Sequence, residues 1–97
     1  MIIKGIWSTH KVFIGPDELS PIASQKVFNH SPDGFCWGYG GSGPAQLALA
    51  LLMRYLPTNS AVNAYQDFKF AIIAQLPQAD FEIDESIVID WIKEHNL

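Results

Sequence analysis

The distribution of apolar and polar positions divides the chain into a β-rich beginning and a helical remainder. β-Branched and aromatic residues cluster at positions 2–7 and 12–14, on either side of a short polar connection. This pattern is typical of strands and predicts an N-terminal β-hairpin. The Val27 and Phe28 pair then indicates a third strand over 25–29, at the edge of the sheet.

The tetrapeptide Ser31-Pro32-Asp33-Gly34 is a strong turn signal. Proline fixes φ at the second position of a turn, and glycine is free to adopt a positive φ. We expect residues 35–37 to leave this turn antiparallel to 26–28 and to lead into a glycine-rich loop.

The segment after that loop, from Pro44 to Leu56, carries one charged residue and is otherwise almost wholly apolar after Gln46. A helix that is apolar on nearly every side must be surrounded by other elements, so we expect this helix to be the centre of the core. Proline suits the first helical position. Either Gly43 or Ser42 would serve as the N-cap, and with Gly43 in that role Gln46 could reach back to the cap.

Two further helices are expected after the central one. Ser60 would cap a helix over 61–75, whose polar face includes Asn63, Gln66, Asp67 and Lys69. Residues 81–83 alternate like a short strand. A last helix would then open at Asp84 or Glu85 and present an apolar face of Ile87, Val88, Trp91 and Ile92. Five residues of the central helix should be buried among residues of the two later helices: Leu47, Leu49, Ala50, Leu51 and Leu52, against Tyr65, Phe68, Ile72 and Trp91.

The order of the elements indicates the fold class. Strands come first and helices follow, without the β-α-β alternation of a parallel sheet. The sequence therefore predicts an α+β fold, with a small antiparallel sheet packed on one face against three helices. The chain has 97 residues, of which 48% are hydrophobic. This length and composition predict one compact domain over 1–97.

Cysteine content and hydropathy bear on location. Cys36 is the only cysteine, and the first residues lack the apolar run of a signal peptide. No apolar run approaches the roughly 20 residues that cross a bilayer. We therefore expect a cytoplasmic protein without a membrane anchor.

The charge is concentrated near the end of the chain. Residues 78–97 contain six acidic residues against Lys93 alone, whereas the preceding residues are nearly balanced. No basic cluster supplies the contacts on which direct nucleic-acid binding depends. The acidic residues form either a solvated surface or a docking surface for a protein partner with a basic surface.

The glycine-rich loop is the candidate binding site. Its spacing matches the dinucleotide motif and the first half of a P-loop. A P-loop requires Lys and Ser/Thr where this chain has Pro44 and Ala45, and the dinucleotide motif requires a strand after its helix, where a second helix is expected. What remains is a run of backbone N–H groups at a helix N-terminus, which can attract an anionic small ligand. A site here would be built by Trp37, Tyr39, Gly40, Gly41, Ser42 and Gln46. In the alternative, structural reading, these side chains are buried or paired and Gly40 and Gly41 serve only to adopt positive φ.

His30, Asp33 and Cys36 lie three residues apart, a spacing that suggests a metal site or a thiol nucleophile. Neither reading is adopted, because the other histidines are remote in sequence and no residue is identified as an orienting base. His30 and Asp33 are interpreted as turn and cap residues. We expect no metal and no cofactor.

Three stretches together resemble a family of small bacterial and phage proteins of unknown function: residues 29–35, residues 37–52 with their Trp-Gly-Tyr-Gly-Gly-Ser-Gly-Pro-Ala-Gln motif, and residues 65–69. The resemblance implies an accessory protein of bacteria or their mobile elements, and it brings no activity or catalytic residue with it. Cys36 stands where similar proteins are expected to carry a charged residue such as Glu, which argues against a thiol-based role.

The chain contains no convincing acid/base pair, nucleophilic triad or metal cage. We therefore expect a small non-enzymatic protein that acts by binding a protein partner. The alternative is a ligand-binding, nucleotide-binding or enzymatic module that uses loop 38–43.

Overall fold

The computed structural model describes all 97 residues. The strands are β1 (Ile2–Ile6), β2 (Lys11–Ile14), β3 (Asp17–Glu18) and β4 (Phe81–Asp84). The helices are α1 (Ile22–Val27), α2 (Ser42–Tyr55), α3 (Thr58–Ala71) and α4 (Ser86–Glu94), and a short 3₁₀ turn, Ile73–Gln75, follows α3. The α+β class is confirmed.

The four strands form one antiparallel sheet in the order β3-β2-β1-β4. The first strand lies in the middle, so that Ile3 is opposite Ile14 of β2 on one side and Ile83 of β4 on the other. Side chains alternate across the sheet, as expected when one face is buried and the other is solvated. The buried face carries Ile3, Val12, Ile14 and Phe81, and the exposed face carries Lys4, Lys11 and Glu82. The predicted hairpin is confirmed.

Helix α2 is the centre of the core, as its composition predicts. Every residue from Gly43 to Leu52 is buried, including the five residues expected to be so. The helix begins at Ser42 with Gly41 as N-cap, two residues before the predicted start. Pro44 fits in the first turn because its missing N–H would have no partner there.

Helices α2 and α3 form a helical hairpin joined by Leu56 and Pro57. Helix α3 begins at Thr58, before the predicted cap at Ser60, because Pro57 adopts an extended conformation that ends the connection there. Because the two helices are antiparallel, the end of α3 lies beside the start of α2 and next to the glycine-rich loop.

The predicted strand over 25–29 is wrong. Residues 22–27 form α1 instead, and residues 35–37 pair with no strand. Strand β3, at Asp17–Glu18, pairs with β2 and takes the edge position that was predicted for residues 25–29. The Val27 and Phe28 pair favours a strand locally, but hydrogen bonds from the Gln46 side chain of α2 to Ser24 and Phe28 override that preference.

Helix α4 packs through Val88, Trp91 and Ile92, and the Trp91 ring meets Phe68 of α3 edge-on at 5.1 Å between centroids. Ile87, predicted on the apolar face, is 40% exposed. The helix opens with the Ser86 N–H donating to Asp84 Oδ1 at 3.0 Å. None of the helices has the length and apolarity needed to span a bilayer.

Candidate functional site

Trp37 opens the glycine loop and belongs to the core. Its side chain is fully buried, and its indole N–H donates to the carbonyl of Ala79 at 2.8 Å. The ring meets Phe81 edge-on at 4.9 Å between centroids. Because the ring is enclosed and its N–H is hydrogen-bonded, Trp37 packs against the sheet inside the core and is not available to a ligand.

Gly38 is the residue in this loop whose backbone requires glycine. Its φ is +84°, and an added Cβ would lie 2.8 Å from Gln78 Cγ and 3.0 Å from the Leu76 carbonyl oxygen. The Gly38 N–H donates to Ile73 at 3.0 Å, and Gln78 donates to the Gly38 carbonyl at 3.2 Å. The expectation of positive φ at Gly40 and Gly41 is wrong, because the reversal occurs at Gly38 instead.

Gly40 and Gly41 lie beneath two exposed aromatic rings. A Cβ on Gly40 would be 3.2 Å from the ring of Phe70, and one on Gly41 would be 2.5 Å from the ring of Tyr39. Tyr39 is 44% exposed and Phe70 is 58% exposed. The absence of side chains at both glycines therefore lets each ring lie against the backbone while much of the side chain remains exposed.

Ser42 is exposed at the first position of α2 and makes no capping bond. The first intrahelical bond is donated by Ala45 to Gly41 at 3.1 Å. The N–H groups of Ser42 and Gly43 have no acceptor within the chain. They are the unpaired donors expected at a helix start.

Gln46 is buried and uses its whole amide internally. Its Oε1 accepts the N–H groups of His30 at 2.8 Å and Ser31 at 3.1 Å. Its Nε2 donates to Ser24 Oγ at 2.9 Å and to the Phe28 carbonyl at 3.1 Å. Gln46 therefore does not reach back to the helix cap as predicted. It binds the segment that contains α1 to the start of α2.

Lys69 and Phe70 complete this site, and the sequence analysis did not identify them. Lys69 was assigned to a polar helix face, but it is only 6% exposed. Its ammonium lies 3.4 Å from the Gly40 carbonyl and 4.0 Å from the centroid of the Phe70 ring, and it forms no salt bridge with a carboxylate. The signal that would have found both residues is their position at the end of α3, which the helical hairpin places beside the loop.

Tyr39 lies close to Cys36. Partial burial, and after it the hydrogen bond with the Cys36 thiol, raises the pKa of Tyr39 above its usual value. The phenol therefore keeps its proton at neutral pH. Cys36 itself is buried, with its Sγ 3.9 Å from the Trp37 carbonyl oxygen.

His30, Asp33 and Cys36 do not converge. His30 Nε2 lies 2.7 Å from the hydroxyl of Tyr65. Asp33 is exposed in the predicted turn, in which the Gly34 N–H donates to the Ser31 carbonyl at 3.1 Å. Gly34 has φ +108°, as the turn signal predicts. No group of three or more His, Cys, Asp or Glu side chains is arranged to hold a metal ion.

Four of the six residues proposed for the site lie together at the surface, namely Tyr39, Gly40, Gly41 and Ser42, and Phe70 joins them. We call these five residues the loop surface. Trp37 and Gln46 are fully buried behind it and contribute to its support.

No curated protein matches the chain, and no solved structure does. A scan against protein-family models matches residues 8–94 to a family described as of unknown function, DUF6166. Because this match covers most of the chain, the protein belongs to the DUF6166 family.

Proposed function

We propose that this protein is a small non-enzymatic accessory protein that binds a protein partner through the loop surface. The observation that carries the proposal is the pair of exposed rings, Tyr39 and Phe70, resting on two adjacent glycines. Aromatic side chains are enriched among the interface residues that contribute most to the binding free energy, since each buries a large area and loses little side-chain freedom.

The loop surface is supported on both sides, which favours binding. Gly38 is held by hydrogen bonds to Ile73 and from Gln78, and the Gly40 carbonyl is contacted by Lys69. A loop fixed before binding loses less conformational entropy when a partner docks. The two rings would then act as preformed anchors.

The partner expected from the charge distribution has a basic surface. Glu82, Asp90 and Glu94 are exposed and form no salt bridge, so they remain available to such a partner. We propose that the loop surface provides the apolar contact and that these acids assist the approach of a basic partner. The accessory role in a bacterium or phage is proposed from the resemblance of the sequence.

The test compares three immobilised proteins in a lysate of the source organism: the wild type, the double variant Tyr39→Ser with Phe70→Ser, and the control Ile87→Ser. Ile87 is matched to Tyr39 in exposure but lies on α4. We expect one protein to bind the wild type and the control and to bind the double variant at least about 30-fold more weakly, because two aromatic anchors are removed.

The retained protein is then purified and titrated into labelled chain by NMR. The proposal requires shifts of the backbone amides within 38–46. Shifts confined to residues 84–95 would move the binding site to the acidic helix. Saturable shifts of 38–46 with phosphate or a nucleotide, without any response to the protein, would instead support the anionic-ligand alternative.

A further inference from the structure

A cavity of about 190 Å³ lies between α1 with its preceding connection and the second half of α2. Leu19 and Ala23 line one side, and Ala50 and Met53 of α2 line the other. Arg54 stands at its margin. The cavity is at the opposite end of α2 from the loop surface.

The size of the cavity indicates what it can hold. Sites for whole small-molecule ligands usually measure about 300 to 1,000 Å³, whereas a cavity of about 150 Å³ already accommodates one benzene ring. One large apolar side chain therefore fills the available space.

The charge at the margin indicates a carboxylate. Arg54 forms one ion pair, with the carboxylate of Asp17 at 3.8 Å, in which the two side chains are 44% and 68% exposed. An exposed pair at this distance contributes little free energy and is readily exchanged. The guanidinium is suited to bind a second carboxylate through two parallel hydrogen bonds.

We propose that this cavity binds a segment of a protein partner in which a large apolar side chain is adjacent to Asp or Glu. The apolar side chain enters between Leu19, Ala23 and Met53, and the carboxylate replaces Asp17 on Arg54. This site goes beyond the proposed function, because it is separate from the loop surface and neither site requires the other.

The test selects binders to the full chain from a displayed library of random peptides. An enriched peptide is synthesised and titrated by NMR while the methyl groups of Ala23, Ala50 and Met53 are observed. We expect the enriched sequences to pair Leu, Ile, Met or Phe with a neighbouring acid, and the three methyl groups to shift. Ala23→Trp, which fills the cavity from an exposed position, should weaken binding at least about tenfold. The control Ile87→Trp introduces the same side chain on α4 and should have no effect.

Two variants test the carboxylate contact. Arg54→Gln should weaken the peptide about two- to fivefold, and Asp17→Asn should leave binding unchanged or strengthen it, since Asp17 competes for the same guanidinium. Thermal unfolding checks that each variant is folded, and Ala23→Met replaces Ala23→Trp if the larger side chain prevents folding.

Several outcomes would overturn the inference. Peptide binding that is insensitive to the filling variant, or that Asp17→Asn weakens, contradicts the proposed contacts. Shifts of the three methyl groups with 4-methylpentanoate, in the absence of any enriched peptide, would make the cavity a small-molecule site. Loss of peptide binding in the Tyr39→Ser, Phe70→Ser variant would place the peptide at the loop surface, which rejects this site and leaves the proposed function standing.

Discussion

At the scale of single residues, half of the acidic side chains near the end of the chain have internal partners. Asp80 accepts the Trp7 N–H at 2.7 Å, Asp84 accepts the Ser86 N–H, and Glu85 accepts the Tyr55 hydroxyl at 3.1 Å. The Ser86 N–H holds the pKa of Asp84 below its usual value. The concentration of acidic residues is visible in the sequence, whereas these contacts are not, because the partners of Asp80 and Glu85 are distant in sequence.

The hydrogen bonds of Gln46 also join residues that are distant in sequence, and they should contribute measurably to stability. Replacing it with Leu removes the acceptor of the His30 and Ser31 N–H groups and the donor to the Phe28 carbonyl. Buried polar groups left without partners are costly, so Gln46→Leu should reduce the free energy of unfolding by about 2 to 4 kcal/mol. Urea denaturation measures the change. Gln75→Leu, which removes a single exposed hydrogen bond, is the control and should stay within about 0.5 kcal/mol of wild type.

Tyr55 should make stability depend on alkaline pH. Burial, followed by the hydrogen bond to Glu85, raises the pKa of Tyr55 to about 12 from the value of 10.0 expected in an unfolded chain. The folded state therefore holds the phenolic proton more tightly, and this stabilisation is fully present below pH 10 and is lost as the pH rises toward about 12. Melting temperatures measured across that interval should fall less in Tyr55→Phe than in the wild type. Equal losses in both proteins would assign the alkaline sensitivity to other groups.

At the scale of elements, the long and strongly patterned segments were predicted well. The hairpin was located from clusters of β-branched and aromatic residues, and α2 from its apolar composition. The spacing of apolar residues located α3, β4 and α4. Helix α1 was not, because six residues are too few to show a helical period and its position depends on Gln46 of another helix. The burial of Lys69 was missed for a related reason, since it depends on which helix end lies beside the loop.

Because α2 is at the centre of the core, truncating one of its side chains should lower the free energy of unfolding substantially. Leu51 is fully buried, so Leu51→Ala removes packed methyl groups and leaves a cavity. The expected loss is about 2 to 5 kcal/mol of unfolding free energy, measured by urea denaturation. Ile87→Ala truncates an exposed aliphatic side chain and should change stability by no more than about 0.5 kcal/mol. An unchanged denaturation midpoint for Leu51→Ala would contradict the central position of the helix.

At the scale of the whole molecule, distant segments depend on one another. Strand β1 is the first element, yet it pairs with β4 near the end of the chain. A single cluster of 21 buried hydrophobic residues includes the sheet residue Ile3, the α2 leucines and Trp91 of α4. Removing any layer would therefore expose apolar surface of the others. One domain over 1–97 stays a prediction.

This interdependence should make unfolding a single cooperative transition. Trp37 reports on the sheet side of the core through its contacts with Phe81, and Trp91 reports on the α3–α4 contact through Phe68. Two variants isolate these signals: Trp7→Phe with Trp91→Phe retains Trp37, and Trp7→Phe with Trp37→Phe retains Trp91. Each substitution lowers stability to its own extent, so fluorescence is compared with far-ultraviolet circular dichroism within the same variant.

In each variant the two signals should change at the same urea concentration, and calorimetry of the wild type should give equal calorimetric and van't Hoff enthalpies. Fluorescence of Trp91 that changes before the circular dichroism would show that α4 unfolds separately, because a helix docked on an independent core can be lost while the sheet and α2 remain folded.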